Sequence, residues 1–132
     1  MNYLLDTHAL LCALLDDGRL SETASSLITD PDNSIFVSMI SFWEIAFKFS
    51  AGRVLLQNVY PDELPKYSRK AGFEVLNPSP SEVSSIYRLG GLSHRDPFER
   101  LIVWQCIANN ICMITGDSEL SEYRKYGLQT VW

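Results

Sequence analysis

Asn2-Tyr3-Leu4-Leu5-Asp6-Thr7-His8-Ala9-Leu10-Leu11 is the stretch whose reading decides the fold. A short apolar run ends on an acid, and a helical pattern begins at the next residue. Asn2 to Leu5 reads as a strand with no polar face, as expected of a strand covered on both sides. Thr7 to Leu15 reads as a helix with Leu10, Leu11, Leu14 and Leu15 on one side. Asp6 sits at the junction, where an acid caps a helix and also faces the end of a sheet.

The same unit recurs along the chain. Residues 35–37 form a second apolar run, followed by a helix opening at Ser41 and closing near Gly52. Residues 74–76 and 111–115 read as the third and fourth strands, and 129–131 as a fifth. Between them lie helical patterns at 21–29, 61–72 (Leu64 and Tyr67 inward), 81–89 and 97–109, with a short helix after Asp117. Asp16-Asp17-Gly18, Asp30-Pro31-Asp32-Asn33 and Gly90-Gly91 are breaks. Alternation of strands and helices predicts an α/β fold: one domain over residues 1–132, with a doubly wound, mostly parallel sheet of about five strands flanked by helices. In such sheets, ligands gather at the carboxyl ends of the strands.

Composition narrows the classes. The 132 residues suit one domain that buries a core without disulfides. Hydrophobic residues make up 46% of the chain, which argues against disorder, and no apolar run approaches the length of a membrane span. The opening residues lack a basic segment, so no secretory signal is expected. Cys12, Cys106 and Cys112 are odd in number and sit in apolar contexts, which predicts free thiols and a cytoplasmic location. Sixteen acids against 11 bases leave a net charge of −5, unlike a protein that grips long nucleic acid through a broad basic face. Bound cations would invert that field locally.

The acids are placed unevenly. Asp6 follows the first strand, Glu44 falls in the first turn of the next expected helix, and Asp96 and Glu99 bracket the start of the long helix. Asp117 follows the fourth strand. Each taken alone reads equally well as a helix cap: Ser41-Phe42-Trp43-Glu44 matches a capping box, and Asp96-Pro97 an aspartate cap with proline in the first turn. Capping does not explain why acids recur at one sheet edge, where Ser, Thr or Asn would cap as well. Carboxylates crowded together repel and take up protons unless a hard divalent cation joins them. Paired ions of that kind activate water and stabilise a transferring phosphoryl group. Ser41 and Thr115 are candidates to position ligands, and His94 and Arg100 to contact phosphate. His8 reads as a helix residue supporting the site. The aromatics Phe42, Trp43, Phe47 and Phe49 read as core or interface, and Trp104 and Trp132 as core. A phosphoacceptor of the receiver type lacks its acid after the third strand, where Asn77 stands.

These residues resemble a known family. Leu4-Leu5-Asp6-Thr7-His8-Ala9-Leu10-Leu11 is similar to the opening of a PIN domain, and residues 41–48 resemble its second acidic motif. Gly52-Arg53-Val54-Leu55-Leu56 is similar to the turn that often follows. Residues 94–101 and Thr115-Gly116-Asp117 resemble the third and fourth motifs, in order, so that the likeness runs from about Leu4 to Trp132. It is nearest to VapC-type toxins of bacterial toxin–antitoxin pairs.

The resemblance implies an endoribonuclease using one or two Mg2+ or Mn2+ ions on structured RNA, often tRNA or rRNA. It also implies a homodimer, a cognate antitoxin and a toxin–antitoxin hetero-oligomer. By motif position, Asp6, Glu44, Glu99 and Asp117 match the family's acidic quartet, and Asp96 is an additional acid of this subgroup; all five are the expected catalytic and metal-binding residues. Glu99 stands where the family usually has Asp, so either it or Asp96 is the ligand in that corner. The alternative reading is a weakly active or inactive module that acts mainly in an antitoxin complex repressing its operon.

Overall fold

The computed structural model describes residues 1–90 and 96–132. Five strands form one sheet: β1 (Asn2–Leu5), β2 (Ser34–Ser38), β3 (Glu74–Leu76), β4 (Cys112–Ile114) and β5 (Thr130–Val131). Their order is β3-β2-β1-β4-β5, and every pairing is parallel. The helices are α1 (Thr7–Leu15), α2 (Glu22–Thr29), α3 (Met39–Ser50), α4 (Leu64–Lys70), α5 (Pro80–Ser85) and α6 (Pro97–Asn109). Short 3-10 turns at Asp17–Arg19, Pro61–Glu63 and Ile86–Arg88 extend the connections, and Ser118–Tyr126 is a longer 3-10 segment. Among the described residues no helix is long and apolar enough to cross a membrane.

The central strand shows why the sheet is covered on both faces. Tyr3 and Leu5 project into one apolar cluster with Leu10, Ala24 and Leu64. Leu4, between them in sequence, projects into the opposite cluster with Ile102, Cys106 and Met113. Successive strand residues alternate sides, so a strand with no polar face needs helices above and below.

Boundaries differ from the sequence pattern where a tertiary contact competes with a local signal. The helix expected to open at Ser41 opens at Met39, capped by Ser38, whose hydroxyl accepts from the Ile40 N–H. Ser41 is therefore an interior residue and there is no capping box with Glu44. Ser38 wins because its hydroxyl also meets the buried Gln105 of α6, donating to Oε1 at 2.5 Å. The Gln105 Nε2 donates in turn to the Leu76 carbonyl at the end of β3. One hydroxyl thus joins β2, α3 and α6, and through Gln105 reaches β3. The span 61–72 is a 3-10 turn followed by α4, with Leu64 fully buried and Tyr67 38% exposed, not inward. Helix α5 starts one residue earlier than expected, at Pro80 behind the Ser79 cap, and the segment finishes as 3-10. The segment after Asp117 is 3-10 rather than α.

The order β3-β2-β1-β4-β5 places a topological switch point between β1 and β4, where the chain's winding reverses. Crevices open at such points, outside the carboxyl ends of the strands.

Replacing Ser38 with Ala removes the α3 cap and leaves the buried Gln105 oxygen without its donor. A cap is worth about 1 kcal/mol and an unsatisfied buried acceptor about 1–3 kcal/mol. Urea denaturation should show a loss of about 2–4 kcal/mol; a loss below 0.5 kcal/mol, roughly that of an ordinary surface change, would reject the assignment.

Candidate active site at the switch point

Asp6 is the residue directly after β1. Its backbone N–H donates to the Ile114 carbonyl, so it continues the β1–β4 ladder, while its carboxylate accepts from the Ala9 N–H at 2.7 Å and caps α1. Thr115, buried at the end of β4, hydrogen-bonds to the Asp6 carboxylate and accepts from the Asp117 N–H at 3.1 Å. Asp117 caps the 3-10 segment through the Glu119 N–H. Two acids from two strands are therefore held side by side by one threonine.

Glu44 arrives from α3. It lies in the second turn of that helix, because the helix begins earlier than the pattern suggested, and it is 7% exposed. The Thr7 hydroxyl at the start of α1 donates to Glu44 Oε1 at 2.5 Å. With its proton committed there, Thr7 accepts from the Ser41 hydroxyl at 3.0 Å. The other Glu44 oxygen receives Lys48, one turn on, whose ammonium also stands 3.4 Å from Asp96 Oδ2. Asp96 spends its second oxygen capping α6, accepting from the Phe98 and Glu99 N–H groups.

Four of the five sequence-selected acids line one cavity of about 320 Å³: Asp6, Glu44, Glu99 and Asp117, with Thr7 and His8 on the wall. Asp96 is not among the lining residues. Within that corner, Glu99 faces the cavity, and Asp96 holds the helix start and Lys48. Arg100 does not line the cavity; its guanidinium donates to the Leu89 and Gly90 carbonyls and the Tyr123 hydroxyl. His94 and the neighbouring Arg95 lie outside the described residues. Among the described residues no three carboxylate, imidazole or thiol groups already converge on a single ion-sized point. The acids face one space, but hydrogen bonds and Lys48 hold their oxygens apart.

The electrostatics follow from this crowding. Burial raises the Asp6 carboxyl above its ordinary 3.8, and the charge of Asp117 adds to the rise; the Thr115 and Ala9 hydrogen bonds and His8 oppose it without cancelling it. Burial alone would lower the Lys48 ammonium, yet its hydrogen bond to Glu44 and the charges of Glu44 and Asp96 raise it overall. Lys48 therefore stays cationic. The four acids that line the cavity offer carboxylate oxygen, the donor type that suits a hard divalent ion such as Mg2+ or Mn2+, with His8 the nitrogen donor on its wall. The three cysteines stand apart from this chemistry: all are free, and burial raises each thiol.

From sequence Lys48 reads as a base that either meets phosphate or stays solvated; its hold on Glu44 and Asp96, and Thr7 as the group that positions Glu44, were missed. The signal for Lys48 was present as an i, i+4 acid–base pair on a helix. Of the α3 aromatics read as core or interface, Phe42 packs against the core, while Trp43 is 59% and Phe47 52% exposed, both packing edgewise or tilted on the buried Phe98 ring. Trp104 and Trp132 are half-buried against the core.

An all-parallel sheet with an acid-lined crevice at its switch point describes a class of small α/β hydrolytic domains. Sequence comparison gives the family: the PIN domain model matches residues 3–126, and the chain belongs to the PIN domain family. PIN domains are generally nucleases, and PIN nucleases generally use divalent metal ions. No curated protein matches the sequence. Similar solved structures include VapBC2 from Rickettsia felis bound to a DNA fragment from its promoter, at 16% identity and TM-score 0.67 over 100% of this chain and 99% of that one. VapBC-1 from nontypeable Haemophilus influenzae is 20% identical, with TM-score 0.66, over 99% and 97%. A domain of a functionally unknown protein from Methanocaldococcus jannaschii is 16% identical, with TM-score 0.57, over 99% and 89%. At these identities the likeness is one of fold.

Two measurements follow from the charges. A carboxyl raised by folding binds its proton more tightly in the folded chain, so stability falls as pH climbs from 3.8 through the raised value. Asp6→Asn keeps a capping side chain without the buried charge. In EDTA at pH 7 it should resist urea better than wild type, with the gap closing as pH falls toward 3.8; a less stable variant at pH 7 contradicts the burial argument. Lys48→Met leaves Glu44 with a largely buried, uncompensated charge. A double-mutant cycle with Glu44→Gln should return a coupling of about 1–3 kcal/mol, and a coupling near zero would mean that the pair is not formed in solution.

Proposed function

We propose that this chain is a metal-dependent endoribonuclease and the toxin of a toxin–antitoxin pair, acting in the cytoplasm. The observation that carries the reading is the meeting of Asp6, Glu44, Glu99 and Asp117 at one cavity in a PIN-family fold. These four are the residues that would hold Mg2+ or Mn2+, one or two ions, with Asp96 behind them. Such an ion supplies a nucleophilic water at neutral pH and stabilises charge on the phosphoryl oxygens. The chain's own residues prepare the place. Thr115 keeps Asp6 and Asp117 adjacent, Thr7 orients Glu44, and Asp6, Asp96 and Asp117 sit at the N-termini of helical segments, whose positive dipole ends attract negative charge. The RNA substrate, tRNA or rRNA, follows from the family resemblance.

An antitoxin partner is supported by the VapBC complexes among the similar structures. A homodimer is supported by the row Met39, Trp43 and Phe47, one helical turn apart on α3 and all more than 40% exposed. Large aromatics in such a row are rarely left in water. The second reading is a PIN module with weak or no catalysis that works mainly in an operon-repressing antitoxin complex. Two features favour it: Glu99 is a glutamate in the corner where the family usually has aspartate, and Lys48 already occupies Glu44.

Purified protein should cleave RNA with Mg2+ or Mn2+, and lose that activity in EDTA and in Asp6→Asn and Asp117→Asn. Glu99→Gln should lower kcat more than Asp96→Asn, since Glu99 lines the cavity. Cleavage that persists in EDTA or in Asp6→Asn removes the proposal. Failure to bind millimolar Mn2+ by calorimetry selects the second reading.

A further inference from the structure

A second cavity, of about 340 Å³, opens at the ends of β4 and β5. It shares Gly116 and Asp117 with the acid-lined cavity, so the two are adjoining halves of one cleft. Their chemistry is opposite. The first holds four acids, whereas the second holds Asp117 alone, on the shared wall, and is otherwise lined by Arg124, Ser118, Ser121, Thr130 and Trp132. Arg124 is exposed, and among the described residues no carboxylate lies within ion-pair distance of it. Lys125 follows it, also exposed.

Trp132 supplies a flat wall. A Cβ built on Gly116 would stand 3.0–3.3 Å from three carbons of the indole, so only a glycine lets the ring lie this close to the turn. The ring is thereby held beside the residue that joins the two cavities. A guanidinium, neighbouring hydroxyls and an aromatic ring are the elements that hold a single-stranded nucleotide: cation on phosphate, ring on base. A volume of this size falls in the range of about 300–1,000 Å³ typical of small-ligand pockets.

We infer that the Arg124–Trp132 cavity is a nucleotide subsite that binds the residue of the RNA strand flanking the bond to be cut. Trp132 stacks on the base, and Arg124, with the Ser118 and Ser121 hydroxyls, takes the phosphate. The subsite rests on the nucleolytic reading above for its substrate, and it gives that reading something the acid cavity lacks. A chain of net charge −5 with an acidic cleft repels a polyanion, and a cation beside the cleft offsets this at the point of contact.

The test uses the intact protein and a five-nucleotide oligoribonucleotide in EDTA, read by tryptophan fluorescence. Wild type should show saturable quenching, and Trp132→Phe should lose most of it although Trp43 and Trp104 remain. Arg124→Ala should weaken binding about tenfold and flatten the slope of log affinity against log salt by about 0.7, the share of one phosphate on a single strand, with Arg124→Lys restoring the slope. With metal, Arg124→Ala should raise KM more than it lowers kcat. Circular dichroism confirms that each variant is folded. Full quenching in Trp132→Phe, or unchanged affinity and salt slope in Arg124→Ala, overturns the subsite. So does unchanged oligonucleotide binding by Trp132→Phe together with loss of self-association, which would assign the face to a second copy. Wild type that binds with the Trp132 signature but never cleaves retains the subsite and removes the nucleolytic reading; cleavage with no effect of either substitution does the reverse.

Discussion

Carboxylates crowded at one sheet edge must be separated, hydrogen-bonded or neutralised, and all three happen around Lys48. Its ammonium lies between Glu44 of α3 and Asp96 at the start of α6. That single cation ties the two helices together and compensates the charge of the nearly buried Glu44. Thr7 takes the other Glu44 oxygen, so the helix after β1 is tied to the helix after β2 by the same carboxylate. Among the described residues Asp6 and Asp117, further along the crevice, have no ammonium or guanidinium in ion-pair contact; the charge of His8 only partly offsets burial, which pushes the Asp6 carboxyl upward. The site is thus divided into a neutralised half and a half short of positive charge. A divalent ion bound as proposed would meet its strongest demand at Asp6 and Asp117 and would compete with Lys48 for Glu44.

The parallel sheet makes this arrangement available. Parallel strands send all their carboxyl ends to one edge, and the reversal of winding between β1 and β4 keeps any helix from covering that edge. Capping then leaves oxygens over at that edge. Asp6, Asp96 and Asp117 each give one oxygen to a backbone N–H and keep another for something else. An acid caps about as well as Ser or Asn and leaves a second oxygen free to act, and Asp96 shows one use of it, a hold on Lys48. The adjoining Arg124–Trp132 cavity extends the same edge toward β5, with Arg124 set against the single shared acid, Asp117.

Much of this was legible in the sequence, for a definite reason. A strand buried on both faces has no polar positions, and a helix has an apolar stripe, so the alternation of the two reveals an α/β sheet from residues alone. The acids Asp6, Glu44, Asp96, Glu99 and Asp117 stand out because acids recur at strand ends and helix starts along one sheet edge, where a neutral cap would serve. Free cysteines likewise follow from odd number and apolar context. Boundaries were less legible wherever a side chain had a better partner far away: Ser38, not Ser41, caps α3 because Gln105, 67 residues later, meets its hydroxyl.

What the sequence by itself determined is therefore the set of elements, their parallel order of appearance and the residues able to bind a cation. What only the tertiary structure decided is which of those residues share a space. Glu99 rather than Asp96 lines the cavity, Lys48 reaches across to an acid 48 residues away, Trp43 and Phe47 face outward, and Trp132 lies on Gly116. The physical reason is one of range. Local pattern reports a residue's own backbone and face, whereas charge compensation and packing depend on groups that the chain brings together only after it has folded.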